Sequence, residues 1–187
     1  MNKRHPQTIT AADLLEVLRG RQKKCSTAAL EVRGALTINR EDCKDFKSLE
    51  IDEMTFTDLV TIEGFLYEPS FIISCRASKF LKGLIIKNNS GARIDFLGGE
   101  ASSLLFWDKN QFEVVSLCGF TVQHRLELSG LHLRNNLRME DVSFSHLKLC
   151  SFSSSENITV PKVITNNSMV MKDFQLAMIP VFKLFTE

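Results

Sequence analysis

Two patterns of apolar residues follow one another along the chain. Near the N-terminus, Thr10 is followed three residues later by Asp13, and Gly20 comes after the last apolar position. The apolar positions between them are Leu14, Leu15, Val17 and Leu18. A cap, an amphipathic spacing and a terminal glycine predict one helix over 10–19. From Ala28 onward the spacing changes to short apolar–x–apolar triplets, which are typical of very short strands with one inward face.

The clearest triplets begin at residues 126, 131, 137, 142 and 147. Steps of five or six residues are too short for a hairpin, which needs roughly eight to twelve. They also scatter side chains around a helix axis, which advances 3.6 residues per turn. A chain that turns a corner after every few residues winds as a solenoid, and its successive coils pair as parallel strands roughly 4.8 Å apart. The sequence therefore predicts an all-β, right-handed parallel β-helix with a short N-terminal capping helix.

The same segment divides into fives: Asn-Asn-Leu-Arg-Met, Glu-Asp-Val-Ser-Phe, Ser-His-Leu-Lys-Leu and Cys-Ser-Phe-Ser-Ser. The central positions are preceded by polar residues in Asn136-Leu137, Asp141-Val142, His146-Leu147 and Ser151-Phe152. In this it resembles the pentapeptide-repeat family, and the resemblance implies a β-helix whose central residues point inward. A second patch has Leu49, Met54 and Leu59 five residues apart, and these are predicted to point inward too.

The chain of 187 residues divides into three parts on this interpretation. Residues 1–24 form the N-terminal capping region, and residues 25–165 form about six or seven coils of roughly 20–22 residues. Residues 166–187 are rich in apolar side chains and are predicted to cap the other end or to associate with a second copy. Phenylalanine occurs 14 times, against one Tyr and one Trp, as expected where rings stack in an interior that offers few partners for a hydroxyl.

Charge is unevenly distributed although it sums to +1. The range 41–68 holds nine acids against Lys44 and Lys47, and a run of bases follows between Arg76 and Arg93. Neighbouring acidic and basic bands are predicted, and grouped surface charges steer association with a partner. The residues predicted to bind a partner are Glu50, Asp52, Glu53, Asp58, Arg76, Lys79 and Lys82.

No motif of known chemistry accompanies these charges. The five cysteines lie far apart in sequence and their number is odd, which favours reduced thiols in a cytosolic protein. The sequence lacks HExxH, G-x-S-x-G and Walker A spacings, so no catalytic residue, metal site or cofactor is predicted. No apolar run is long enough for a spanning helix or a signal peptide, and we expect a cytoplasmic protein, located in a host cytosol if it is a secreted effector.

These observations predict a non-catalytic protein-binding module, such as a bacterial or phage inhibitor, an immunity protein or an effector. Its expected partner is another protein, with a homodimer through the C-terminal segment as a second mode, and neither membrane nor nucleic acid is expected. One alternative is a carbohydrate-active β-helix enzyme that uses surface carboxylates. The other, which the resemblance implies, is a DNA-mimicking protein that binds a topoisomerase.

Overall fold

The fold is described from a computed structural model. It covers residues 7–19, 30–44, 46–65, 68–154 and 158–176, with the backbone alone for 68–69 and 158–176. One α-helix, α1, spans Ala11–Leu18, and a 3₁₀ turn spans Arg40–Cys43. The strands are β1 (Gln7–Thr10), β2 (Leu30–Arg33), β3 (Leu36–Asn39), β4 (Ser48–Asp52), β5 (Thr55–Phe56), β6 (Val60–Glu63), β7 (Glu68–Phe80), β8 (Leu84–Lys87), β9 (Ser90–Trp107), β10 (Asn110–Cys118), β11 (Thr121–Leu128), β12 (Leu131–Ser154) and β13 (Ile158–Leu176).

The strands form a parallel β-solenoid of about six turns. Each strand pairs with the equivalent strand of the next coil, so residues at equivalent positions of successive coils lie above one another. One column runs through Leu36, Val60, Leu84, Leu104, Leu126, Leu147 and Met169. Its side chains from 36 to 126 are at most 2% exposed. This inner stack of aliphatic and aromatic side chains is the hydrophobic core, and its burial is the main stabilising contribution.

Three main strand faces surround the core, and we name them A, B and C in the order in which each coil builds them. A short additional rung lies between faces B and C, where Gln111 pairs with Ser90 and His132. Coil 1 consists of β2 on face A, β3 on face B and β4 on face C. Coil 2 consists of β5, β6 and the first half of β7, and coil 3 of the end of β7, β8 and the start of β9. In coils 4 to 6 the strands run around corners without interruption, so that β9, β11 and β12 each contribute to more than one face.

The corners differ in how much chain they use. From face C to face A the inward residues are always five apart, as in the steps Ile51 to Phe56, Cys75 to Phe80, Phe96 to Ala101, Leu117 to Val122 and Met139 to Phe144. From face B to face C the separation varies, as in Ile38 to Leu49, Ile62 to Ile73, Ile86 to Ile94, Phe106 to Val115 and Leu128 to Leu137. Coils 1 and 2 contain more residues than the later coils, and most of the additional residues lie between faces B and C.

A residue with positive φ marks each corner after face C, two positions beyond the inward residue. These residues are Glu53, Ala77, Gly98, Gly119 and Asp141, with φ between 50° and 68°. The equivalent residues after face B are Gly64, Asn88, Asp108, Gly130 and Ser151. A left-handed residue bends the chain from one face to the next within one step, and this conformation favours glycine and short polar side chains.

The N-terminal end of the solenoid is covered by β1 and α1. Strand β1 pairs in parallel with β2, as one more rung on face A. Helix α1 follows at once, with the predicted capping box between Thr10 and Asp13. Leu14 is 4% exposed and joins the hydrophobic core. The predicted capping helix is thus confirmed over 11–18, while the preceding strand was not foreseen.

Most of the predicted inward positions are confirmed. Leu137, Val142 and Leu147 are 3%, 1% and 7% exposed, and they follow one another on faces C, A and B. One prediction is wrong: Leu59 is 39% exposed, and the inward residue is Val60. The five-residue step that begins at Leu49 fails here because the corner between faces A and B needs four residues after Phe56.

Polar residues enter the core at two neighbouring corners. Asn89 and Asn110 are fully buried at the position that Phe65 and Leu131 occupy in other coils. The Asn89 side chain donates to the Ile62 carbonyl at 2.9 Å, and its Oδ1 accepts from the Phe65 N–H at 3.1 Å. Because each amide satisfies backbone groups of the coil before it, the polar burial is compensated by hydrogen bonds.

Candidate functional site

The structure divides the predicted partner-binding residues into two groups. Glu50 and Asp52 lie on β4, Glu53 lies at the following corner, and Arg76 lies on the next rung beside Asp52. Glu50, Glu53 and Arg76 are exposed, and Asp52 is half-buried. These four residues share the outer side of face C near the N-terminal end. They form a continuous surface.

The other three residues lie elsewhere and are engaged within the chain. The Lys82 Nζ lies 2.6 Å from Asp58, and the Lys79 Nζ lies 2.8 Å from Glu100. The Lys82 ammonium, followed by the Gly34 N–H and the Thr57 hydroxyl, holds the pKa of Asp58 below its ordinary value. These pairs connect adjacent coils at faces A and B. Asp58, Lys79 and Lys82 therefore do not join the surface that contains Glu50.

The group on face C is less completely paired. No ion pair joins Glu50, Asp52, Glu53 or Arg76 to another residue that the structure describes. Glu50 accepts a hydrogen bond from the Ser48 hydroxyl at 3.1 Å, and Asp52 Oδ1 is buried without a hydrogen-bond partner. A buried acceptor without a donor is costly, and a donor supplied from outside would satisfy it.

An exposed apolar residue lies on the same side of face C. Ile72 is 38% exposed and is the rung neighbour of Ser48. We name the set of Glu50, Asp52, Glu53, Ile72 and Arg76 the face C surface. It combines exposed strand positions, one exposed apolar residue and several charges, and protein interfaces likewise combine apolar and polar residues.

A second surface on face B was missed by the sequence analysis. Ile85 and Leu105 are rung neighbours on its outer side, and both are only partly buried. Trp107, two residues after Leu105, is 41% exposed, and Leu59, which precedes Val60 on coil 2, is 39% exposed. We name this set of Leu59, Ile85, Leu105 and Trp107 the face B patch.

A sequence signal for the face B patch was present. In most triplets the middle residue is polar, as in Leu30-Glu31-Val32 or Leu126-Glu127-Leu128. In Leu84-Ile85-Ile86 and Leu104-Leu105-Phe106 the middle residue is apolar. Because neighbouring residues of a strand point to opposite sides, an apolar middle residue in such a triplet predicts an exposed apolar surface.

Glu127 borders the face B patch at the rung after Leu105. It is 2% exposed although it points outward, because Arg125 and Lys148 cover it. Burial alone would raise the pKa of Glu127, but hydrogen bonds from Lys148 and Ser129, with the charge of Arg125, lower it below the ordinary value. The carboxylate therefore stays ionised and holds two cations beside the patch.

A polar cleft lies where the C-terminal end of α1 meets the 3₁₀ turn. It has a volume of about 650 Å³ and is lined by Leu18, Arg19, Asn39, Arg40, Glu41, Asp42, Lys44 and Gly64. Asp42 is 2% exposed and lies 2.8 Å from Arg19, while its other oxygen accepts from the Asn39 N–H at 2.9 Å. Its carboxylate is thus occupied by contacts that attach α1 to coil 1.

Groups with reactive side chains are dispersed over the described part of the chain. Cys43 is buried and its pKa is raised to about 11, mainly by burial and then by Asp42. The His132 Nδ1 lies 2.6 Å from the Ser153 hydroxyl on the next coil, but no hydrogen bond or ion pair joins His132 to a carboxylate of the described residues. Within the same residues, no cluster of three or more His, Cys, Asp or Glu side chains could hold a metal ion.

Comparison with known proteins gives no relative: no family model, no curated protein and no solved structure matches this chain. Among the described residues, no helix is long and apolar enough to cross a membrane.

Proposed function

We propose that the protein is a non-catalytic binding module that captures another protein through the face C surface. The observation that carries the proposal is the set of charges on this surface without an ion pair to a described residue, on the same face as the exposed side chain of Ile72. On the other faces several charged residues of adjacent coils neutralise each other, as Lys82 does for Asp58 at 2.6 Å. The face C surface therefore offers the charges that a partner can still pair.

The sign of the surface indicates the chemistry of the partner. Three carboxylates and one guanidinium give the face C surface a net charge of −2. A partner with a basic patch would be attracted over a distance of about 8–10 Å at moderate ionic strength. Grouped charges of this kind increase the association rate more than they lengthen the lifetime of the complex.

We also propose a structural class for the protein. The corners of five residues and the inward residues Leu137, Val142 and Leu147 support a degenerate relative of pentapeptide-repeat solenoids. The roles that we propose for this solenoid are an inhibitor, an immunity protein or an effector that acts by binding. A regular surface presented on stacked coils suits these roles because it needs little ordering when a partner binds.

The test is a charge reversal of the face C surface. Partners are captured from the native host and identified by mass spectrometry, and association rates are then measured with the purified partner. We expect that reversing Glu50, Asp52 and Glu53 to Lys leaves the melting temperature nearly unchanged and lowers the association rate at least about tenfold at low salt. The loss should shrink at high salt, because screening weakens the steering.

The matched control is Glu113→Lys in β10, since Glu113 is another carboxylate without an ion pair to a described residue, and it lies outside the face C surface. This variant should associate at the wild-type rate. If the triple variant also binds at the wild-type rate at every salt concentration, the face C surface is not the binding site. A polysaccharide-cleaving activity that the triple variant loses would instead favour the carbohydrate-active alternative.

A further inference from the structure

Strand β4 forms the N-terminal edge of face C. It pairs with β7 on one side, and no other strand of the described residues pairs with it. On face A of the same coil, β1 supplies a preceding rung for β2, and α1 contacts β2, β3 and the 3₁₀ turn. The N-terminal cap therefore gives face A a preceding strand, whereas β4 remains an open edge within the described part of the chain.

Two hydrogen bonds show which backbone groups of β4 point to this edge. The Ile51 carbonyl accepts from the Ser78 hydroxyl, and the Glu53 N–H donates to a carbonyl of β7, each at 2.8 Å. Both groups therefore point to β7. Because successive peptide groups of a strand point in opposite directions, the backbone N–H and C=O groups of Glu50 and Asp52 point away from β7, to the open edge.

Elsewhere in the solenoid the outward residues use these groups to bind the preceding rung. The Lys79 N–H on face A donates to the Met54 carbonyl of the coil before it at 2.8 Å. On coil 1, the outward residue Glu31 lies beside Thr8 of β1. The outward residues of β4 are equivalent to these, but no strand of the described residues supplies their preceding rung.

The side chains along the open edge carry negative charge. Glu50, Asp52 and Glu53 have no ion pair to a described residue, and Asp52 Oδ1 is buried without a hydrogen-bond partner. Charged side chains protect an edge against a strand of like charge, and a second copy would bring the same three carboxylates to the contact. A strand with basic residues beside Glu50 and Asp52 is complementary, because opposite charges on neighbouring strands attract.

We propose that the edge of β4 binds an extended segment of another protein, which adds a parallel strand to face C as a rung before coil 1. The segment alternates basic residues, which lie outward beside Glu50 and Asp52, with apolar residues on the side of Leu49 and Ile51. Main-chain hydrogen bonds then provide affinity and the alternate side chains provide specificity. This inference rests on the proposed function, since it specifies how the partner engages the face C surface.

Amide hydrogen exchange of the free full chain tests whether the edge is open. We expect the Glu50 and Asp52 N–H groups to exchange at least about a hundredfold faster than those of Leu49 and Ile51, which point to β7. The matched control is the N–H of Glu31, which should be protected because β1 lies beside it. Slow exchange at Glu50 and Asp52 in the free chain would overturn the proposal, because the edge would already be occupied by the chain or by a second copy.

The probe for binding is a synthetic peptide of alternating valine and lysine. It should bind the full chain saturably in calorimetric titration and slow exchange of the Glu50 and Asp52 N–H groups at least about tenfold. Methylation of the valine backbone nitrogens should abolish binding, because inward residues donate to the next rung, whereas methylation of the lysine nitrogens should not. A peptide with glutamate in place of lysine should not bind. Failure of the lysine peptide to bind, or binding that survives valine methylation, would overturn the proposal.

Two substitutions of Glu50 separate the backbone contribution from the charge. Glu50→Gln and Glu50→Pro both remove the carboxylate, but only proline also removes the N–H at the open edge. Proline is tolerated on an edge strand where its nitrogen faces solvent, so both variants should melt at similar temperatures. We expect Glu50→Pro to bind the lysine peptide at least about tenfold more weakly than Glu50→Gln, and equal affinities would contradict strand addition.

Failure of this inference and failure of the proposed function give different results. If the lysine peptide does not bind, but the triple charge reversal still slows association with the purified partner, strand addition is wrong and the proposed function stands. If the partner associates with the triple variant at the wild-type rate, the proposed function itself is wrong.

Discussion

At the scale of single residues, the position within a coil decides what a side chain does. Glu53, Ala77 and Asp141 adopt positive φ at corners where two other coils use Gly98 and Gly119. A non-glycine residue in this conformation is strained by about 1 kcal/mol or more. The corner geometry is thus imposed by the pairing of the strands on both sides, and it is not selected by the local sequence alone.

Substitutions at Gly98 and Gly99 allow the free-energy cost of backbone strain to be measured separately from the cost of a steric collision. Gly98→Ala should destabilise the protein by about 1 kcal/mol, because φ is +68° but nothing lies within 4 Å of the new Cβ. Gly99→Ala should cost several kcal/mol, since its Cβ would collide with the backbone carbonyl of Ser78 on the preceding coil. Urea denaturation of both variants measures the difference, and equal losses would contradict this account of the corner.

At the scale of strands and corners, hydrogen bonds from buried amides connect successive coils. Asn110 donates to the Ile86 carbonyl at 3.0 Å and to the Trp107 carbonyl at 2.7 Å, and its Oδ1 accepts from the Asn89 N–H at 3.3 Å. These backbone groups lie at a corner, where the strand ladder is interrupted. The side chain therefore replaces the hydrogen bonds that a neighbouring strand provides elsewhere.

Asn110→Ala should leave these buried groups without partners. We expect a loss of at least about 1–3 kcal/mol in the free energy of unfolding, the cost of a buried polar group left unsatisfied. Asn136→Ala on the outer side of face C is the matched control and should change stability by less than about 0.5 kcal/mol. The measurement is chemical denaturation, and an Asn110→Ala variant as stable as the control would show that water or a shifted backbone replaces the amide.

At the scale of the whole molecule, a solenoid depends on its neighbours and on its ends. Each coil contacts only the coils before and after it, so stability propagates along the axis, and an uncovered terminal coil offers free strand edges. Here β1 and α1 cover the first coil, with Leu14 and Ala11 in the core. The cap thus serves the solubility of the molecule as well as its stability.

Disrupting the cap should expose that end. Leu14→Asp buries a charge at a position that is 4% exposed, so we expect a detached helix, a lower melting temperature and a growth of oligomers through the free edge. Ala12→Asp, which introduces the same charge at an exposed position of the same helix, should alter neither property strongly. Light scattering during thermal denaturation distinguishes the variants, and a Leu14→Asp protein that stays free of new oligomers would mean that α1 is not a protective cap.

The sequence was sufficient to predict the solenoid because the last complete coils repeat nearly every five residues. Leu137, Val142 and Leu147 show this spacing, whereas the variable B–C corner hides it in the earlier coils. Asp58 and Lys82 form an ion pair although they are 24 residues apart in the sequence. Such a pair can be predicted only when the number of residues in a coil is known. For the same reason, the division of the predicted charges between face C and the other faces could not be foreseen.

The variable length of the B–C corner predicts where insertions and deletions can be accommodated, both in evolution and in protein engineering. Codons gained or lost between Ile62 and Ile73, or between faces B and C of another coil, change a segment whose length already differs from coil to coil. The corner from face C to face A tolerates no such change, since one missing residue would turn every following side chain to the opposite side of its strand. Foreign peptides grafted into this protein should therefore be displayed along a single edge, one per coil, spaced about 4.8 Å apart.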